Sequence, residues 1–439
     1  MKITADFSRR VRKIGRMNGM NNGPRNVFTD RTEEFSEMGV DLVRFHDDWV
    51  GAYGVVDMPW IFPDETADPA DPDAYHFEAT DGVLRAALDA GCEIIYRLGA
   101  SAEGFPQIYT AIPRDPEKWA QVAIHIMMHY NDGWKNGFHW EIRNWEIWNE
   151  PDLPGFWPGK RADYIRFYET VAPILKAYDP KNKIGGPASA NCLVKEPAPN
   201  APEKVWADYR DRYPFVGDFL RTCVEKNLPL DFFSFHGYVG DTITGKRKLD
   251  RTVELMKEAG IYGKIPAYYT EWGPMRLAVD KKGVWDFTQM EVPKSAAVSL
   301  GFMILMQKCG VDAACYYHAD EATKFCGLYD FDGSKKLHYY VMRAWKDARE
   351  AEWEVESSGD SAEVHHLSAS NGKKSVSLFS NESGSAVSVT FSLKGLENPS
   401  YTLSLLDGDH AMVPLRRGKA EEVIRFRLPA HSCVEILFE

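Results

Sequence analysis

The sequence lacks any excess of positive charge. Its 52 Lys and Arg stand against 64 Asp and Glu, a formal net charge of −12. Nucleic-acid binding draws on basic patches, so no nucleic-acid partner is expected, and no anionic membrane surface. Long apolar runs are missing too. The most apolar stretch, "AAVSLGFMILMQ" (Ala296 to Gln307), is bracketed by Lys294 and Lys308 and is too short to cross a bilayer. It reads as a buried helix. No apolar segment follows the basic N-terminal "MKITADFSRRVRKIG", so a targeting signal is not expected and a cytoplasmic location is. The seven cysteines are odd in number and scattered without metal-ligand spacing, which fits reduced core thiols. No strand-like run carries His-X-His, and "GRMNGMNNG" does not match a GxGxxG phosphate loop. No metal and no other cofactor are therefore expected.

What is present is a long chain, 439 residues with 44% hydrophobic content, enough for a large core and long for a single domain. Eight short apolar runs end in polar or Gly residues, among them "VDLVRFHDD", "RNWEIWNEPD", "DFFSFHGYVG" and "IPAYYTEWGP". Such runs fit strands buried on both faces, as in a parallel sheet. Helix-like segments alternate with them. "DPEKWAQVAIHIMMHYND" has helical spacing with Pro116 at its start, and Gly91 is placed to end "DGVLRAALDAG". The alternation predicts an α/β fold, a (β/α)8 TIM barrel over residues 13–350. From Ala351 onward the period changes to strict alternation, as in "SAVSVTFSLKG", with turn clusters between runs. This predicts a small antiparallel β-sandwich over 351–439. Residues 1–12 alternate as well ("KITADF") and are a candidate further strand of it. The Pro- and Asp-rich stretch 55–77 reads as a loop over the barrel mouth.

Barrel active sites sit at the C-terminal ends of the strands. The polar residues there are His46 and Asp47, Asn149 and Glu150, His236 and Tyr238, Glu271 and Trp272, then His318, Asp320 and Glu321. Arg97 reads as the only strand-end Arg. Facing backbones of the fourth and seventh strands lie roughly 14 Å apart, and two inward Glu side chains reaching ~4 Å each leave ~6 Å between Glu150 and Glu271. That gap holds one sugar carbon. Glu146, one layer deeper on the strand of Glu150, reads as a paired interior residue. Trp272, Phe156 and Trp157 are candidate sugar platforms.

"WEIWNEPDLPGFW" and "YYTEWGP" resemble the acid/base and nucleophile strands of clan A glycoside hydrolases. The likeness is greatest to glycoside hydrolase family 39, the β-xylosidase and α-L-iduronidase family, and "NNGPR", "VRFHDD" and "FSFHGY" add to it. The resemblance implies a retaining hydrolase. Glu150 is then the general acid/base and Glu271 the nucleophile, with His46, Asn149, His236 and Tyr238 holding the sugar. The expected partner is an oligosaccharide or glycoside, cut in exo fashion as by a β-xylosidase. Two other readings stay open: a metal-dependent sugar isomerase using the same residues as ligands, and a non-catalytic carbohydrate-binding barrel.

Overall fold

A computed structural model describes residues 1–439 except 27–28, 47–48, 51–52, 102–110, 276–291, 320–326, 331 and 421, and the side chains at 49, 50 and 53. Asp47, Asp320 and Glu321 lie outside the described residues.

Eight parallel strands close into a barrel in chain order. After β1 (Lys2–Lys13) they are β2 (Arg16–Asn21) and β3 (Leu42–Phe45). A two-residue pair, β4 (Trp49–Val50) and β5 (Tyr53–Gly54), interrupts. The barrel resumes with β6 (Glu93–Leu98), β7 (Asn144–Ile147), β8 (Lys183–Ser189), β9 (Phe232–Tyr238), β10 (Ala267–Gly273) and β11 (Ala313–Tyr316). The helices between them are α1 (Thr32–Met38), α2 (Met58–Ile61), α3 (Glu78–Asp89), α4 (Pro116–Asp132) and α5 (Arg161–Tyr178). They continue with α6 (Glu203–Arg212), α7 (Phe215–Glu225), α8 (Thr242–Glu258), α9 (Pro293–Cys309) and α10 (Leu337–Glu350). Local chemistry sets their ends. Asp115 accepts from the Lys118 amide ahead of Pro116, and Gly133, at φ 76°, closes α4 in the left-handed region. α6 has no fully buried residue, so its sequence carries little apolar periodicity.

Stretch 55–77 is more than a surface loop. Val55, Val56, Ile61, Phe62, Tyr75 and Phe77 all join the barrel's core cluster. The Met58 amide donates to the Gly99 carbonyl just past β6. Asp57 pairs with Arg97 in full burial. Arg97 thus holds this loop and the His46 carbonyl in place.

Eight further strands follow α10: β12 (Trp353–Ser358), β13 (Val364–Ser370), β14 (Ser375–Asn381), β15 (Val387–Lys394), β16 (Ser400–Leu406), β17 (Ala411–Lys419), β18 (Val423–Leu428) and β19 (Ser432–Phe438). With β1 they form a nine-stranded sheet in the order β17-β16-β19-β14-β13-β12-β1-β15-β18. Val389, Phe391 and Ile424 from one end share a core with Leu403, Leu405 and Ile436 from the other, so the sheet folds face to face as a sandwich. It is not wholly antiparallel. β1 runs antiparallel to β12 but parallel to β15, from Lys2 opposite Thr390 to Asp6 opposite Lys394. β1 comes from the far end of the chain, so no hairpin dictates its direction.

α9 explains the most apolar run. It is buried from Ser295 to Gln307, with the barrel on one side and β13, β14 and β19 on the other. A helix covered all round needs no polar face. Nearby, Glu435 of β19 is 1% exposed, with Arg343 of α10 at 3.8 Å and Asp347 also close. Burial, then the Asp347 charge, pushes its carboxyl from 4.5 up to about 8. A raised folded-state value means the unfolded chain releases this proton first as pH rises. The group's contribution is therefore full below about 4.5 and lost as pH climbs through about 8. Glu435→Gln, which stays neutral, is expected to flatten that fall in stability. Thermal melts of both proteins across this range check it.

Candidate active site

The barrel mouth is built from alternating strands. On β3, Arg44 points inward, and His46 follows two residues on with the same parity. β7 supplies Glu146. Beyond β7, Trp148 and Glu150 adopt positive φ, 73° and 43°. That conformation is uncommon for such residues and costs on the order of 1 kcal/mol each. Backbone bonds hold it: the Trp148 amide donates to the Leu98 carbonyl and the Glu150 amide to that of Ala188, both on neighbouring strands. On β10 the register with β9 breaks between Tyr269 and Glu271. This bulge lets two successive side chains, Thr270 and Glu271, both bond inside the barrel.

Arg44 sits at the centre with zero exposure. Its Nε donates to Glu146 at 2.7 Å and its Nη2 to the Asn149 side chain at 2.7 Å. Its Nη1 donates to Asn21 at 3.0 Å and to Glu271 at 3.2 Å. None of these bonds goes to Glu150. Burial works against the guanidinium's charge, but Glu146 and Glu271 outweigh it and hold the group above its ordinary value. The Tyr238 hydroxyl donates to the other oxygen of Glu271. Burial and the Glu271 charge push that hydroxyl well up, so it stays a donor.

Glu150, His236 and Glu271 each bring one ligating atom within 4.8 Å of the others. His236 Nδ1 lies 2.9 Å from Glu150 and 3.6 Å from Glu271, and its Nε2 lies 3.2 Å from the Thr270 hydroxyl. Thr270 donates to Glu146 at 2.8 Å. Burial and Arg44 hold both His236 and His46 well below the ordinary imidazole value, so both rings are neutral near pH 7.

Six of the expected residues meet in this one place: His46, Asn149, Glu150, His236, Tyr238 and Glu271. Two do not. Trp272 has zero exposure and packs edge-on to Phe302 and Tyr316. Trp157 has zero exposure, wedged among Trp148, Tyr164 and Phe167. An indole covered on both faces offers no sugar platform, so both are packing residues. Phe156 is partly exposed, with its ring 6.5 Å from that of His46. Arg97, the expected strand-end cation, belongs to the loop anchor instead. Among the described residues the cation of the site is Arg44, which lies inside a strand rather than at its end. The inward parity shared with His46 in "VRFHDD" was the signal for it. Thr270 gave no signal, because the bulge that turns it inward is not written in local spacing.

Glu150, His236 and Glu271 are ligand types a divalent cation takes. The arrangement fits one poorly. Glu271 already accepts from Arg44 and Tyr238, and a cation on Glu271 would lie close to a guanidinium of the same sign.

Comparison with known proteins decides the family. The profile described as glycosyl hydrolases family 39 matches residues 37–278, more than half of the chain. The chain belongs to this family. It is a glycoside hydrolase. A β-xylosidase of Caldicellulosiruptor saccharolyticus is 24% identical over 91% of this chain and 83% of its own. One from Geobacillus stearothermophilus is 31% identical over 29% of this chain and 21% of its own. Among solved structures, a glucosidase from Croceicoccus marinus superposes with a TM-score of 0.78 at 20% identity, covering 100% of this chain and 98% of that one. A family 39 β-xylosidase from Caulobacter crescentus gives 0.71 at 18%, covering 100% of both. These neighbours share the fold of a barrel joined to a β-sandwich. No described helix is long and apolar enough to cross a membrane.

The Arg44 network has a direct consequence. Arg44→Met leaves buried Glu146 and Glu271 without their cation, which is expected to cost ~3–5 kcal/mol. Arg44→Lys keeps the charge but not the fork, and should fall between the two. Urea denaturation of the three proteins checks the order.

Proposed function

We propose that the protein is a retaining, exo-acting glycosidase of the β-xylosidase type, with Glu150 as general acid/base and Glu271 as nucleophile. The observation that carries this reading is the short separation of the two carboxylates, with oxygens within 4.8 Å. Retaining enzymes need about 5–5.5 Å between carboxyl groups, whereas inverting ones leave about 6.5–9.5 Å for a water. The relatives named as β-xylosidases support the substrate class.

The chemistry follows from how the two groups are held. Arg44 and the Tyr238 hydroxyl both stabilise negative charge on Glu271, which suits a nucleophile. Glu271 attacks the anomeric carbon as Glu150 passes its proton to the leaving oxygen. A glycosyl ester forms on Glu271. Glu150, now ionised, takes a proton from water, which attacks the same carbon and releases Glu271. Asn149 spends its side-chain oxygen on Arg44, and its buried amide nitrogen has no partner among the described residues. That nitrogen is placed to donate to the sugar 2-hydroxyl, a bond that strengthens in the transition state. His46 adds a second buried nitrogen, Nδ1, free for a sugar hydroxyl among the described residues. Phe156 offers the aromatic face. Residues 13–350 carry this chemistry, and 351–439 with β1 brace it.

Glu150→Ala is expected to lose ~10²–10⁴-fold on aryl glycosides with poor leaving groups. It should keep activity on dinitrophenyl glycosides and yield a glycosyl azide of retained configuration when azide is added. Glu271→Ala should be inactive on all of them, with any azide rescue giving inverted product. A panel of aryl xyloside, glucoside, galactoside and arabinoside, with stereochemistry read by NMR, checks substrate and mechanism together. Near wild-type turnover by Glu271→Ala would remove the assignment.

A further inference from the structure

The proton inventory behind Glu150 determines more than its position. Glu146 is ion-paired with Arg44 at 2.7 Å, and a carboxylate oxygen can only accept. The Thr270 hydroxyl, 2.8 Å from the other Glu146 oxygen, must therefore donate to it. Having spent its one hydrogen, that hydroxyl can only accept from His236 Nε2, 3.2 Å away. His236 Nε2 then carries the ring proton. In a neutral imidazole Nδ1 is left as an acceptor, and its contact with Glu150 at 2.9 Å needs a hydrogen from the glutamic acid.

We propose that Thr270 is a positioning residue: its hydroxyl, committed to Glu146, fixes the tautomer of His236, and that tautomer keeps the proton on Glu150. The proposal rests on the reading of Glu150 as general acid/base and names what sets its charge. In the first step the relay holds Glu150 as an acid. In the second, ionised Glu150 faces the Nδ1 lone pair, which raises its demand for the proton of the attacking water. The opposite ring state, with Nδ1–H donating to Glu150, would favour the carboxylate and weaken both steps.

The groups facing His236 come from every neighbouring element. Arg44 acts from β3 and His46 from just beyond it, and Glu146 through Thr270. Glu150 follows β7, Glu271 sits on β10, and Tyr238 lies on the ring's own strand. Arg44 and burial both disfavour a charged ring, which leaves the tautomer as the remaining variable.

The test replaces Thr270 by Val, which keeps the shape and removes the hydroxyl, and by Ser, which restores it. For Thr270→Val, kcat on a glycoside of a poor leaving group should fall ~10-fold or more, with KM and dinitrophenyl glycoside turnover changing less than about threefold. The alkaline limb of its kcat/KM profile should move to lower pH, because an Nδ1–H tautomer becomes available to stabilise ionised Glu150. Thr270→Ser should recover both. In the wild type, 15N NMR of the imidazoles should show His236 protonated at Nε2 and bare at Nδ1. A wild-type ring protonated at Nδ1 overturns the proposal. So does a Thr270→Val protein that loses both substrates in parallel with an unmoved alkaline limb. Glu150→Gln is run beside these. If it cleaves poor-leaving-group substrates like wild type, the acid/base reading itself fails. If it behaves as an acid knockout while Thr270→Val leaves the limb in place, only the relay fails.

Discussion

A guanidinium with no access to water has to be answered in full by its neighbours, and in this barrel Arg44 is answered by four side chains from four places: Asn21 of β2, Glu146 of β7, Asn149 just beyond it, and Glu271 of β10. Taking such a charge out of water costs several kcal/mol, which only a geometrically complete set of partners offsets. The requirement runs both ways. The partners fix Arg44, and Arg44 fixes the distance at which Glu271 stands from the chain carrying Glu150. Removing Arg44 takes a buried partner from each of the four others at once, so the network is costly to rearrange.

The sandwich takes part in this rigidity. Glu382, just past β14, accepts from the amide and hydroxyl of Thr242 at the start of α8, and His365 of β13 meets the same hydroxyl at 2.8 Å. Thr242 stands four residues past Tyr238. A carboxylate at a helix N-terminus is favourably placed, and here it ties the turn following β9 to the second sheet. The strand that brings His236 and Tyr238 to the site is thereby held from outside the barrel, and α9, buried from Ser295 to Gln307, packs between the two layers.

The parts legible in the sequence were those governed by local period. Eight strand-like runs alternating with helices stood out because buried parallel strands are continuous apolar segments, and they close into a barrel. The carboxylates stood out because polar residues ending such segments need a reason. What remained hidden depends on long-range geometry. Arg44 looked like one charge inside an apolar strand, and only the barrel interior reveals its partners. Thr270 depended on a bulge. Trp157 and Trp272 looked like platforms because Trp beside a strand-end Glu fits both packing and binding, and burial alone separates the two. The parallel pairing of β1 with β15 depends on where a distant strand arrives.

Charge bookkeeping then links scaffold and reaction. Arg44 is one cation facing Glu146 and Glu271 directly, with Glu150 within 4.8 Å of Glu271. Each further ionised carboxylate beside this buried guanidinium adds Coulomb cost in a region of low dielectric, and a protonated Glu150 lowers that cost. In the proposed double displacement the summed charge of the two glutamates does not change: when Glu271 becomes an ester its charge vanishes, and Glu150 acquires one by giving up its proton. Negative charge moves between two neighbouring oxygens around a fixed cation and never accumulates. A site organised in this way needs little rearrangement between its two steps, which is the condition under which preorganised electrostatics is most effective.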